Sequence, residues 1–407
     1  MQRDTNKQKN MAAASGNEPR AQLLRTDRPM EDSVANENRR KTRAFLRYAL
    51  SPSVWAPPQD LNEKDWKRLC RFGKEYGVFG VVFDGMSRIF KEQGSLPESV
   101  VESGISAAMA IEKKNKLVNR AVVRLVNQLE NDGFRCCLLK GQGNNLMYPN
   151  VYGRIPGDID MWVLGKEGTE PDVRTIVRYV RQFNPKGKIL YHHVDYGDFD
   201  SVGVEIHYRP SYMVNPVYER RLQRWFAAKA EAQLSHRVEL PGNVGQVAVP
   251  TPEFNAVFQL AHIFRHLLRE GFGLRQVIDY YYVLMTMTER EEVRSDLRYL
   301  GLEKIAGGMM WLLQTSFGLE EQKMIAKPDE RIGNMLMKEV LKSGQPVKRS
   351  ASQQTNAKHF WQTKLGMNIR HLGRDLRMVR YFPSECLFEP LFRLYHFFWR
   401  VLVRIGL

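Results

Sequence analysis

Asp158 and Asp160 stand two residues apart at the head of the run Ile159-Asp160-Met161-Trp162-Val163-Leu164. Side chains at i and i+2 of a β-strand point to one face, so the two carboxylates are forced together. Their repulsion calls for a cation. A hard divalent ion such as Mg²⁺ takes oxygen ligands and keeps waters or substrate phosphates as the rest of its shell. Downstream, Val204-Glu205-Ile206-His207-Tyr208 sets a third acid between apolar neighbours. If that strand lies beside the first, Glu205 joins the aspartates at one sheet edge. Three carboxylates can hold two ions about 3.5–4 Å apart, a clamp for in-line phosphoryl transfer.

Upstream, Lys140-Gly141-Gln142-Gly143 marks a turn from a strand into a helix starting near Asn144. Glycines let backbone N–H groups approach a phosphate, and a helix N-terminus favours the anion. Gly141, Gln142 and Gly143 are expected to shape this phosphate turn, with Lys140 and Arg154 as triphosphate contacts. The rival reading of Lys140 is a solvated strand end; that of Arg154 is a structural pair with a carboxylate. His207 shares the face of Glu205, and His262 and His266 share one helical face at i and i+4. All three histidines are candidate substrate contacts. The helix lacks the glutamate of a zinc-protease motif.

These residues resemble the nucleotidyltransferase superfamily of DNA polymerase β type. The closer likeness is to a bacterial branch of largely uncharacterised nucleotidyltransferases. That branch shows a Lys-Gly turn, a Tyr-Pro, an Arg, an Asp-x-Asp strand and a Glu-x-His strand. Here they are Lys140-Gly141, Tyr148-Pro149, Arg154, Asp158-Ile159-Asp160 and Glu205-Ile206-His207. His262, His266, Arg275 and Asp279 are similar to its helical His-xxx-His and Arg-xxx-Asp positions. One departure is the turn, where the wider superfamily usually has Gly-Ser or Gly-Gly and this chain has Gly141-Gln142-Gly143. The resemblance implies transfer of a nucleoside monophosphate from an NTP, such as ATP, to an unidentified acceptor hydroxyl, with pyrophosphate released. Asp158, Asp160 and Glu205 would hold Mg²⁺, as two ions, or Mn²⁺ in its place. Glu205 is also placed to assist deprotonation of the acceptor.

The elements that must position these groups follow from period and punctuation. The chain reads as an α+β fold: a small mixed-sheet core over 133–215, flanked by helical regions over 42–132 and 216–407. Residues 1–41 are polar and read as a flexible tail. A long helix is expected from Glu98 to Asn131, ended by Asp132-Gly133. Strands are expected at Phe134–Leu139, Ile159–Leu164, Lys188–Val194 and Val202–Tyr208, with a turn at 195–198 and a helix over Pro171–Phe183. A short hairpin is expected at His236–Val249. Helices follow over Phe254–Leu268, Gln276–Met287, Glu289–Leu300 and Leu302–Phe317, and an exposed linker over Ser343–Lys358.

The C-terminal helix, Leu387–Leu407, carries Phe388, Leu391, Phe392, Tyr395, Phe398 and Leu402 beside Arg393, Arg400 and Arg404. Peripheral membrane contact is one reading; packing on the preceding helices, with snorkelling arginines, is the one adopted.

Composition bounds the rest. The 407 residues carry 61 Lys and Arg against 45 Asp and Glu, a net charge of +16 that suits an anionic acceptor or another polyanion. With 43% hydrophobic and 26% charged residues, the chain is neither collagenous nor mainly disordered. Four Cys without a CxxC pair exclude a disulfide scaffold and a zinc finger. No spanning segment or signal peptide is read, and the expected location is cytoplasmic. Two other classes compete: a catalytically silent transferase fold acting as a binding or scaffold module, and a DxD glycosyltransferase. The helical character of the residues before the DxD and the presence of a third acid stand against the latter.

Overall fold

The computed structural model describes residues 36–94, 96–168, 172–343, 373–374 and 376–405. The expected tail up to residue 35 and the linker beyond Ser343 lie outside the described residues. Helix α1 runs over residues 36–50 and takes in residues 36–41 of the expected tail. α2 (Glu63–Glu75) and α3 (Phe79–Gln93) lead into α4 (Glu98–Asn131), whose end falls where Asp132 and Gly133 predict it. Gly133 adopts φ +85°, a conformation that costs glycine little and ends the helix.

The four-stranded sheet has the order β1-β2-β4-β3. Its strands are β1 (Arg135–Leu138), β2 (Ile159–Leu164), β3 (His193–Phe199) and β4 (Val202–His207). β2 is antiparallel to β1 and parallel to β4, and β3 is antiparallel to β4. The mixed α+β expectation therefore holds, and the second strand matches residue for residue.

The third strand does not. It begins five residues later than Lys188 and runs through the segment expected to be a turn. The chain reverses instead at Asp200 and Ser201, both with positive φ, the geometry that suits the twist of a two-residue hairpin. Gly197, at φ +96°, sits in a bulge that shifts the register after Asp195. A bulge glycine inside a strand was thus read as a turn residue.

Both faces of the sheet are covered. Ile159, Met161, Val163, Val204 and Ile206 pack with Val122, Leu125 and Leu129 of α4 and with Ile176 and Val180 of α6 (Val173–Phe183). The opposite face presents Trp162, which stacks on Phe254 of α8 (Pro252–Arg269) at 5.9 Å between ring centroids. This explains why β2 is buried along its whole length. A larger core joins Phe45, Phe79, Leu139, Trp162, Phe258, Tyr280 and Met310, drawn from helices before and after the sheet. After the sheet comes α7 (Pro216–Ser235); the hairpin Arg237–Glu239 with Gln246–Ala248 and helices α9 (Leu274–Thr286), α10 (Arg290–Tyr299) and α11 (Glu303–Phe317) lie close to expectation. α12 (Glu330–Ser343), which carries Glu339 and Lys342, was not foreseen.

Candidate active site

The register of the sheet assembles the acids. Asp160 pairs with Glu205, and Trp162 with His207, across the parallel β2–β4 ladder. Paired residues on neighbouring strands project to the same side, so Asp160, Glu205 and His207 share one face. On the other side of β4, His193 pairs with His207 and Asp195 with Glu205. Asp160, Glu205 and His207 each turn a ligand atom inward, all within 4.8 Å of one another. His193, Asp195 and Glu205 do the same. Carboxylates in this proximity suit a hard divalent ion such as Mg²⁺ or Mn²⁺, and the flanking imidazoles add nitrogen ligands to the oxygen set. Asp158 stands two residues before Asp160, at the more open rim of the site.

Positive charge lies directly on Asp160. Lys140 Nζ is 3.1 Å from Asp160 Oδ1, and His207 Nε2 is 3.1 Å from the same oxygen. Leu139 N–H donates to the Asp160 carbonyl at 3.0 Å, which extends the β1–β2 ladder and sets Lys140 in place. Burial raises the Asp160 carboxyl, but Lys140 and His207 more than offset this and hold it well below the usual range. Burial also favours a protonated Glu205; the hydrogen bond from His207 and the charges of His193 and His207 together outweigh it, and the carboxyl titrates lower than normal. For His207 the order is reversed: burial would depress it, yet the bonds to Asp160 and Glu205 raise it. Asp158 is raised by burial and by repulsion from Asp160 and Glu205. The three acids thus fall into two depressed carboxyls below and one raised carboxyl at the rim, a pattern typical of functional sites.

The glycine turn is built from below. Gly141 adopts φ +70°, which disfavours any side chain, and caps the four-residue helix α5 (Gln142–Asn145). Gln142 points away from the site. Its amide donates to Asn119 Oδ1 at 2.5 Å and Asn115 Oδ1 at 3.2 Å, both on α4. Asn115 also receives Asn145 Nδ2 at 2.8 Å and donates to the carbonyls of Tyr152 and Arg154 at 2.9 Å. One buried asparagine therefore fixes both the glycine turn and the segment leading to Asp158. Gly143 lies under Val249, where a Cβ would come within 3.1 Å of its Cγ1. Among the turn residues, Gly141 faces the cavity, while Gln142 and Gly143 hold the turn to the fold.

The two arginines divide their work. Arg154 is buried and grips Asp279 with both arms, Nε to Oδ1 at 2.7 Å and Nη2 to Oδ2 at 2.9 Å. Tyr148 OH donates to the same Asp279 Oδ1 at 2.6 Å. Of the two readings of Arg154, the structure displays the carboxylate pair. Arg275, one turn before Asp279 on α9, donates to the Ile155 carbonyl at 3.0 Å and reaches Gly157, beside Asp158.

The helical histidines sit opposite the sheet. His262 Nε2 lies 3.1 Å from Lys140 Nζ, a contact between residues 122 positions apart. Burial and the charge of Lys140 keep His262 neutral, so it accepts from the ammonium. His266 Nδ1 lies 2.6 Å from Glu270 Oε1, and burial lowers its pKa to about 4. Above these groups opens a cavity of about 1140 Å³, lined among others by Lys140, Asp158, Asp160, Glu205, His262 and Arg275. It slightly exceeds the usual range of small-molecule sites, roughly 300–1,000 Å³.

Residues 62–318 match the family model of the uncharacterised nucleotidyltransferases. The chain belongs to that family. No curated protein matches it in sequence. The crystal structure of an antigenic nucleotidyltransferase-like protein from Paracoccidioides brasiliensis is similar at 14% identity, with a TM-score of 0.30, over 51% of this chain and 94% of that one.

Within this nucleotidyltransferase domain, sequence reasoning missed Asn115, Asn119, His193 and Asp195. The asparagines stand at i and i+4 on the buried stripe of α4, and buried polar pairs of that kind are themselves a signal. His193 and Asp195 alternate on a strand as Glu205 and His207 do, but the misplaced strand end hid the match.

Proposed function

We propose that this chain transfers a nucleoside monophosphate from an NTP to an acceptor hydroxyl and releases pyrophosphate. The observation that carries this reading is the register of Asp160 with Glu205 on parallel strands, beside Lys140 and below the cavity. Asp158, Asp160 and Glu205 would hold Mg²⁺ or Mn²⁺, as two ions, which neutralise the triphosphate and lower the pKa of the attacking hydroxyl when bound.

The protein's own groups do the rest. Lys140 is poised to leave Asp160 for a phosphate oxygen as charge develops there, with neutral His262 steering its ammonium. Gly141 permits close backbone approach at the turn. Arg275 supplies a cation at the rim next to Gly157 and Asp158. Glu205, kept ionised by His207, accepts the proton of the acceptor hydroxyl. Arg154, in the cavity wall, locks the segment before Asp158 to α9. His207 orients both carboxylates from beneath, and His266 stands with Glu270 at the far wall.

Label placement tests the reaction type. With NTPs labelled at the α- or, in parallel, the γ-phosphate and a nucleotide-depleted cell extract, the wild type transfers only the α label to a new product and Glu205→Gln transfers neither. Label that moves only from the γ position would contradict nucleotidyl transfer. A metal-free binding module is the second reading. It is favoured by Asp160 already having Lys140 and His207 as partners, and metal-independent NTP binding would point to it.

A further inference from the structure

We propose that the outer face of the C-terminal helix docks on an anionic lipid bilayer surface. The helix, Pro383–Ile405, is held to the protein by one side. Glu385 accepts the backbone N–H groups of Val214 and Asn215 at 2.7 and 3.2 Å. Phe392 stacks on Tyr212 at 5.1 Å and meets Tyr191 edge-on at 5.3 Å. Glu389 binds Arg269 and Arg393. Packing against the fold, expected of the whole stripe, is thus satisfied by Phe392 and Phe388 and by one edge of Tyr395 on Tyr191, but not by Leu391, Phe398 or Leu402.

The other side has no cover among the described residues. Leu387, Leu391, Leu394, Phe398, Leu402 and Ile405 recur at helical spacing and form one continuous stripe, 56–76% exposed. Tyr395 and Phe397 flank it, each 53% exposed. Soluble proteins rarely leave so long an apolar surface in water, and one of this kind marks an interaction site.

Charge chooses the partner. Residues 344–407 contain eleven Lys and Arg and three Asp and Glu, which amounts to half of the chain's net +16. Two of those three acids, Glu385 and Glu389, are turned inward and buried. Basic residues beside a stripe of Leu and aromatic side chains suit the boundary between acyl chains and anionic headgroups. The hydrophobic stretch is interrupted by Arg393, Arg400 and Arg404, and no helix among the described residues is long and apolar enough to cross a membrane. The helix therefore lies on the bilayer.

Flotation of the full chain with vesicles tests this. Vesicles of equal parts phosphatidylcholine and phosphatidylserine should carry the protein upward, with at least about tenfold more bound than on phosphatidylcholine alone. Added salt should weaken the binding. Leu394→Ser/Phe398→Ser/Leu402→Ser, which alters only exposed side chains, should reduce binding by about tenfold or more while its thermal unfolding stays that of wild type. Arg400→Glu gives an independent check and should weaken binding to the anionic vesicles alone. Wild type that stays with the unbound fraction, or a triple variant that floats as well as wild type, overturns the proposal. Self-association without lipid that the triple variant abolishes, with no vesicle binding, would assign the face to a second copy and overturn it equally.

Discussion

Arg154 and Asp279 form a bidentate ion pair at 2.7 and 2.9 Å, both side chains 5% exposed or less. The pair ties the loop between β1 and β2 to α9, and through it Arg154 shapes the cavity whose wall it joins. Leaving one member of such a pair buried alone typically costs 3–5 kcal/mol. Asp279→Ala should therefore lower unfolding stability by about 3–5 kcal/mol. Asp279→Leu combined with Arg154→Met should lose much less. Urea unfolding curves of the three proteins check the ordering, and equal losses in the single and double variants would contradict it.

Asn115 is the second anchor. Its side chain serves the carbonyls of Tyr152 and Arg154 and the amides of Gln142 and Asn145 in a buried setting. Each buried polar group left unpaired costs about 1–3 kcal/mol. Asn115→Leu should destabilise by at least about 3 kcal/mol. Asn115→Asp, which turns a carboxylate oxygen onto the carbonyls of Tyr152 and Arg154, should destabilise at least as much. Hydrogen exchange should show the loosening first at residues 141–145.

The attachment of the C-terminal helix should depend on pH. Burial pushes the carboxyls of Glu385 and Glu219 up to about 7, from an ordinary value near 4.5. In the folded state these groups hold their protons more tightly than in the unfolded chain. Stability from them is full below about pH 4.5, falls as pH rises through 7, and is flat above. Glu385→Gln keeps an acceptor for Val214 and Asn215 and removes one titration. Its unfolding free energy should lose up to about 3 kcal/mol less than wild type between pH 4.5 and 8. Parallel pH profiles for the two proteins would contradict the assignment.

Much of this was legible because local and global signals agreed. The acids of β2 and β4 alternate with apolar residues, so strand period alone placed Asp160 and Glu205 on faces that the register then joined. The apolar stripe of α4 and the Asp132-Gly133 stop fixed that helix to the residue. What stayed hidden was non-local. Nothing in the sequence links Lys140 to His262 across 122 residues, or Arg154 to Asp279 across 125. The fate of Gln142 followed from the same limit, since only the packing of α4 under the turn shows its amide directed inward.

The site's roles separate by substitution. Lys140→Met removes the cation beside Asp160 and should weaken NTP binding by about tenfold or more, the order expected for a lost charge-assisted contact of 1.5–3 kcal/mol. Gln142→Glu, which places a charge among Asn115 and Asn119, should instead lower stability. Calorimetric titration and thermal unfolding on both variants distinguish the two effects.

The most direct measurement is calorimetric binding of each of the four NTPs, with and without Mg²⁺, to wild type and to Asp158→Ala/Asp160→Ala. Metal-dependent binding of at least one NTP by the wild type, lost in the folded double variant, is the predicted result. A well-folded wild type that binds none of the four, or a double variant that binds as tightly as wild type, would contradict the account.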